Sequence, residues 1–202
     1  MDVVIADLGL GNLRSVARAF ERNGAVATVS RDADVIAKAS RLVVPGQGAY
    51  QDCAAAMGTA LGEAVRSSIA GGAPYLGICL GMQVLFDGSE EAPGAKGLGV
   101  IPGMVVKFAP TDGVAGESRR KVPHMGWNEV TGSHAFLPAS GWFYFVHSYY
   151  CVPTDPAFIA ATTDYGQAFC SAVAKDNLFA CQFHPEKSQD EGDALIGRFL
   201  AA

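Results

Sequence analysis

Three short segments carry residue types that together can run nucleophilic acyl chemistry. The first is Gly77-Ile78-Cys79-Leu80-Gly81-Met82-Gln83, which follows an apolar run and opens a stretch of helical spacing. A nucleophile placed there stands on a tight strand-to-helix turn, and glycines two before and two after it relieve the crowding of such an elbow. The start of a helix also favours thiolate over thiol. A pKa lowered from ~8.5 to ~6.5, about 2.7 kcal/mol, turns a small reactive fraction at pH 7 into most of the protein. The competing reading is an inert cysteine in a core turn, because Cys is among the most buried residue types.

The second segment, Gln182-Phe183-His184-Pro185-Glu186, ends another apolar run. Residues two apart in an extended chain point to the same side, and Pro185 favours an extended His184. Glu186 can then fix the tautomer of His184 while His184 activates Cys79. A packed histidine beside a solvated glutamate has the same spacing. The third segment is Pro45-Gly46-Gln47-Gly48-Ala49-Tyr50. Its two glycines let backbone N–H groups turn toward a developing oxyanion, alongside the N–H of Leu80, although a tight loop looks alike. All three segments fall at expected C-terminal strand ends, where an open α/β sheet puts its site, and their joint occurrence favours chemistry over coincidence.

The elements that must position these residues follow an α/β rhythm. Val3 to Ala6 predicts a strand buried on both faces, and Leu13, Val16, Ala17 and Phe20 recur at helical spacing up to a capping Gly24. Strands are expected at Ala25 to Ser30, Leu42 to Val44 and Pro74 to Ile78, with helix at Asp34 to Ala39 and through Ala49 to Ala70. From Val100 onward the segments turn short and β-rich: Val105 to Phe108, Asn128 to Val130, Trp142 to Val146, Ile159 to Thr163 and Phe179 to Phe183, with a last helix over Gly192 to Leu200. The expectation is a mostly parallel central sheet with helices on both faces and a β-rich second half, all in one domain over residues 1–202. Thr111 to Lys121 is expected to be a mobile loop, and Trp142-Phe143-Tyr144-Phe145 a core strand; Trp127, in a loop with Pro and Gly, is harder to place in a core.

Composition narrows the function classes. Half of the 202 residues are hydrophobic, only 17% are charged, 24 are glycine and the formal net charge is -5. No basic field exists to attract nucleic acid. So few charges point to a sheet buried on both faces or to a face that becomes dry in a complex. The cysteines at 53, 79, 151, 170 and 181 are odd in number and lack metal-ligand spacing, which fits free thiols in a reducing cytoplasm. No leader or run of apolar residues long enough for a membrane span is read from the chain. Gly9-Leu10-Gly11 fails as a dinucleotide fingerprint because its third glycine falls at Arg14, and His124, His134 and His147 lack metal spacing, so neither cofactor nor metal is expected.

The segments around Cys79 and His184 resemble the class I, triad-type glutamine amidotransferases, whose fold is flavodoxin-like. Within them, Asp7 with Gly11-Asn12-Leu13-Arg14-Ser15-Val16, Lys121-Val122-Pro123-His124-Met125-Gly126-Trp127-Asn128, Tyr144-Phe145-Val146-His147-Ser148-Tyr149 and Gln182 to Ser188 resemble the glutaminase subunits of imidazole glycerol phosphate synthase. Leu8, where the family usually has Tyr, and Gln47, where Val is frequent, depart from the pattern. The resemblance implies that Cys79, His184 and Glu186 hydrolyse glutamine, with Gly46, Gln47, Gly48 and Leu80 around the oxyanion and Gly48, Gln83, Ser148 and Tyr149 holding the substrate. It further implies a heterodimer with a (β/α)8 barrel cyclase that receives ammonia and makes imidazole glycerol phosphate and aminoimidazole carboxamide ribonucleotide in histidine biosynthesis. Asn12, Met125, Trp127, Tyr149 and Lys187 would lie near that partner, and the isolated subunit would be a weak glutaminase until the cyclase binds its nucleotide. A stand-alone cysteine hydrolase, a subunit serving another synthase and a degenerate binding module remain as alternatives.

Overall fold

The structure, a computed structural model, describes residues 1–110 and 121–202. The expectation of a mobile loop from Thr111 falls outside these residues, apart from Lys121 itself. The first half runs β1 (Asp2–Ala6), α1 (Leu13–Arg22), β2 (Val26–Ser30), α2 (Ala33–Ala37), β3 (Leu42–Gly46), α3 (Tyr50–Met57), α4 (Ala60–Ala70), β4 (Tyr75–Cys79) and α5 (Leu80–Gln83). The second half runs β5 (Gly88–Ser89), β6 (Gly103–Lys107), β7 (His124–Gly132), β8 (Ser140–His147), β9 (Tyr149–Pro153), β10 (Ile159–Asp164), β11 (Ala168–Lys175), β12 (Leu178–Cys181) and α6 (Gln189–Ala201).

One sheet runs through the molecule in the order β2-β1-β3-β4-β12-β11-β10-β7-β8, with β5, β6 and β9 on a side branch. The strands from β2 to β12 are mutually parallel, and β11 onward continues antiparallel. Strand period places alternate side chains on opposite faces. Leu42, Val44, Leu178 and Ala180 enter one core with Ile36, Tyr50, Met57 and Val65 of α2, α3 and α4. Val3, Ile5, Val43, Leu76 and Phe179 enter the other with Val16 and Phe20 of α1 and Leu195 and Phe199 of α6. Phe20 and Phe199 meet edge to face with centroids 6.1 Å apart, and burying each ring contributes roughly 1.5–3 kcal/mol. The near-continuous apolar runs in the sequence are thus those of a sheet covered on both sides.

Several element boundaries differ from the sequence expectation for local reasons. The helical stretches expected over 49–70 are two helices: α3 ends at Gly58, and Thr59 accepts the Leu61 amide through its side chain to start α4. The segment 128–130 is only the middle of a nine-residue strand, β7, paired along its length with β8. Strands β9 and β11 escape the sequence reading. Ala168-Phe169-Cys170-Ser171-Ala172-Val173-Ala174-Lys175 holds few strong β-formers and is extended because β10 and β12 pair with it on both sides. Trp142 to Phe145 is half core: Phe143 and Phe145 are buried, whereas Trp142 is 55% exposed. No helix among the described residues is long and apolar enough to cross a membrane.

Candidate functional site

Strand register brings the three chemical segments together. In the parallel pair β3·β4, Gly46 lies opposite Cys79. In the pair β12·β4, Cys181 lies opposite Ile78, so the chain leaving β12 carries His184 to the same sheet end. The site therefore forms where three neighbouring parallel strands finish at their C-terminal ends.

Cys79 ends β4 with φ 55° and ψ -106°, one of three non-glycine residues at positive φ among the described residues. Its neighbours enforce this strained backbone. A side chain at Gly81 would sit 1.7 Å from the Val44 carbonyl oxygen, and one at Gly77 2.6 Å from the Gly81 oxygen. The Tyr75 hydroxyl donates to that same Gly81 oxygen at 2.8 Å, locking the turn from below. Gly48 holds φ +118°, a conformation that glycine adopts far more readily than other residues. One expectation is corrected here. The helix after Cys79 is a four-residue turn, Leu80–Gln83, too short for a sizeable helix dipole. Support for a thiolate must come from side chains.

The side chains of His184 and Glu186 are 1% exposed, and the imidazole Nδ1 donates to Glu186 Oε1 at 2.8 Å. Glu186 thereby fixes the orientation of the ring and leaves Nε2 as the free ring nitrogen, which has no hydrogen-bond partner among the described residues. Burial pulls the His184 pKa down, but the nearby Cys79 sulfur and the bonded Glu186 carboxylate outweigh it and raise the pKa to about 9. The imidazole is therefore a cation at neutral pH, poised beside the Cys79 sulfur. The turn Pro185–Lys187 that carries Glu186 is held by Ser188, whose hydroxyl donates to the His184 carbonyl at 2.6 Å and accepts the Tyr144 amide at 3.0 Å.

Cys79 and His184 line a cleft of about 300 Å³ whose walls include Gln47, Gly48, Ser148 and Tyr149. Leu80 and Gln83 line it too, so all the expected oxyanion and substrate positions except Gly46 border this cleft. Gly46 lies behind it, with Asn12, His184 and Glu186 around a space of about 10 Å³. The Gln83 amide nitrogen is engaged inside the protein, by the Tyr149 carbonyl and the Gln182 side chain, while its Oε1 has no partner among the described residues. Leu8 is buried in the core, and Gln47 sits in the cleft wall. The expected partner-facing residues divide. Met125 and Trp127 are 63% and 44% exposed on β7, and Lys187 places Nζ 5.9 Å from the Tyr144 ring, which in turn meets Trp127 edge-on. Asn12 caps α1 at the other rim, where its side chain accepts the Ser15 amide.

Two features were not visible in the sequence reading. Gln182 Nε2 lies 3.4 Å from Cys79 Sγ, and His124 and His147, read only as lacking metal-ligand spacing, share a hydrogen bond of 2.9 Å. The only sequence signal for the first is its place two residues before His184, on the same side of an extended chain. For the second, the antiparallel pairing of β7 with β8 sets His124 opposite His147, and a sequence holds no register.

Comparison with known proteins identifies the family of the chain. Residues 4–201 match the family described as glutamine amidotransferase class-I. The chain is 50% identical to imidazole glycerol phosphate synthase subunit HisH of Methylococcus capsulatus, with 98% of this chain and 95% of the relative covered. It is 48% identical to the subunit of the same name from Syntrophotalea carbinolica, with 98% of each covered. Among solved structures, PurLQS from Thermotoga maritima superposes with a TM-score of 0.74 at 17% identity over 99% of this chain and 97% of that one. A crystal structure of a glutamine amidotransferase gives 0.72 at 21% identity, covering 98% and 97%. These two distant likenesses establish the fold, an α/β sheet of the amidotransferase kind. From the family match and the near-half identity over almost the whole length, the chain belongs to the class I glutamine amidotransferases and, within them, to the family of the imidazole glycerol phosphate synthase subunits HisH.

Proposed function

We propose that the chain hydrolyses glutamine to glutamate and ammonia with Cys79, His184 and Glu186, and hands the ammonia to a separate cyclase subunit. The observation that carries this reading is the buried His184–Glu186 pair at 2.8 Å, with its free ring nitrogen on the cleft that Cys79 lines. Cys79 Sγ attacks the side-chain amide carbon of glutamine. The oxyanion that forms is held by backbone N–H groups of Leu80 and the Gly46-Gln47-Gly48 segment, worth about 3 kcal/mol per donor. The C–N bond then breaks as His184 gives its proton to the leaving nitrogen, which departs as ammonia. A glutamyl thioester remains. Water attacks it while His184 takes the proton back, releasing glutamate and freeing the sulfur.

Gly48, Gln83, Ser148 and Tyr149 hold the substrate along the cleft wall. The Gly46-Gln47-Gly48 backbone reorients to complete the oxyanion site when the partner is loaded, a change made cheap by two flanking glycines. Ammonia released into water at pH 7 becomes ammonium, which is no nucleophile, so delivery must be direct. A (β/α)8 barrel cyclase docked over Asn12, Met125, Trp127, Tyr149 and Lys187 receives it and forms imidazole glycerol phosphate and aminoimidazole carboxamide ribonucleotide. The compartment is the cytoplasm, where five free thiols stay reduced. The test is glutamate release by the chain mixed with its cyclase and nucleotide. Cys79→Ala is expected to reduce it to background; turnover retained in that variant would overturn the assignment of the nucleophile.

A further inference from the structure

Cys79 stands at the end of a hydrogen-bonded chain whose direction is set by a group that works in one sense only. That group is the backbone carbonyl of Tyr149, which can only accept. One end of the Gln83 amide lies 3.3 Å from this oxygen and 3.0 Å from the Gln182 side chain. The atom facing a carbonyl must be the donor Nε2. The Gln182 atom facing Gln83 must then be the acceptor Oε1, which leaves Gln182 Nε2 toward Cys79 Sγ at 3.4 Å. Turning either amide over would set oxygen against oxygen or N–H against N–H, with Gln182 fully buried and Gln83 3% exposed. Such a mismatch inside a protein costs more than the bond is worth. The sulfur is therefore the acceptor, a role that a thiolate fills far better than a thiol.

The anchoring oxygen is itself held from the other side. His147 Nδ1 donates to it at 2.8 Å, so His147 Nε2 accepts from His124 Nδ1 at 2.9 Å. His124 Nε2 then accepts from Asn128 Nδ2 at 3.3 Å, and the same amide nitrogen donates to the Asp164 carbonyl at 2.8 Å. Every contact is satisfied with both imidazoles neutral. Burial keeps them so, lowering the pKa of His124 to about 4 and that of His147 to about 3.

We propose that Gln182 is a further catalytic residue, the donor that holds Cys79 Sγ as thiolate, with Gln83 and the Tyr149 carbonyl as the positioning groups that fix its direction. This rests on the reading of Cys79 as the nucleophile. The other titratable groups that bear on the sulfur are His184, already a cation, Glu186 behind it, and the thiols of Cys53, Cys151 and Cys181, which burial pushes up and keeps neutral. Glu91 and Tyr149 stand in the cleft wall. None of these supplies a neutral donor to the sulfur.

The test is the pH dependence of Cys79 alkylation by iodoacetamide in the full chain, with Cys79→Ala giving the background from the four other thiols. Gln182→Met keeps the volume and removes the donor; Gln182→Glu keeps the shape and puts a carboxylate in its place. The alkylation midpoint is expected to rise by about one pH unit in Gln182→Met, a tenfold smaller thiolate fraction below the midpoint, with the plateau rate at high pH unchanged. It should rise further in Gln182→Glu. Gln83→Met, which frees Gln182 to turn over, should give a smaller rise and serves alone if the Gln182 variants do not fold, as judged by thermal melts. A purely structural amide would lower the melting temperature and leave the midpoint in place. A folded Gln182 variant, or Gln83→Met in their stead, with the native midpoint would overturn the inference. A midpoint shift in a chain that hydrolyses no glutamine beside its cyclase would defeat the functional reading and leave the inference standing; an unshifted midpoint in an active enzyme defeats the inference alone.

Discussion

At the scale of the residue, charge is concentrated in a buried pair of side chains. His184 and Glu186 form a buried ion pair, and the Cys79 sulfur adds to the pull that raises the His184 pKa to about 9 despite burial. The sign of the pH dependence follows. Below about 9 the imidazolium carries the proton that the leaving nitrogen needs; as pH rises through that value the proton is lost before attack begins. The complex with the cyclase should show kcat/KM for glutamine falling tenfold per pH unit above about 9. A basic limb near the ordinary histidine value, about 6.5, would contradict the charged pair. That Cys79, His184 and Glu186 come to one sheet end was legible in the sequence because each has neighbours that shape its backbone. Gln182 and Gln83 were not legible as a pair. Their contact spans 99 positions and its direction depends on a carbonyl in a third segment.

At the scale of the element, Cys79 is placed by packing rather than by helix propensity. The β4–α5 turn passes so close to β3 that a methyl group at Gly81 would lie 1.7 Å from the Val44 oxygen, a backbone atom that cannot swing aside. Gly81→Ala should therefore destabilise the protein by about 3 kcal/mol or more, read as a lower denaturation midpoint, and should remove glutaminase activity in whatever fraction still folds. A variant of native stability would show that the turn has room that the structure does not. The parallel half of the sheet was readable from apolar runs punctuated by glycine, since burial on both faces writes itself into composition. The antiparallel half was read only in part. β9 and β11 are made extended by neighbours on either side, and pairing partners far along the chain leave no local trace. The helix after Cys79 was expected to be long enough to support a thiolate through its dipole; its brevity shifts that task to side chains.

At the scale of the whole molecule, the scarcity of charge has two structural causes. The sheet is covered on both faces by helices, which accounts for most of the apolar content. What remains apolar and exposed includes one face of the β7–β8 ribbon, where Met125, Trp127 and Trp142 are 63%, 44% and 55% exposed. Lys187 lies over Tyr144 beside Trp127 and belongs to the same short turn as Glu186, so contact with this face can reach the His184–Glu186 pair within one turn of chain. Of these residues the sequence reading singled out Met125, Trp127 and Lys187, and it assigned Trp142 to the core because alternation in β8 cannot be phased without its partner. Trp127→Ala should weaken cyclase binding by about 2 kcal/mol, roughly thirtyfold in Kd, and Lys187→Ala should weaken it in the same direction. Titration calorimetry that finds both affinities unchanged would move the interface elsewhere. The central claim joins the site to a partner: this chain makes ammonia and another subunit uses it. The most direct measurement compares product formation by the cyclase complex fed with glutamine or with ammonium salt, for the native chain and for Cys79→Ala. The account predicts that Cys79→Ala loses the glutamine-dependent reaction by about 10³-fold or more and keeps the ammonia-dependent one. Retention of the glutamine-dependent reaction, or loss of both, would contradict it.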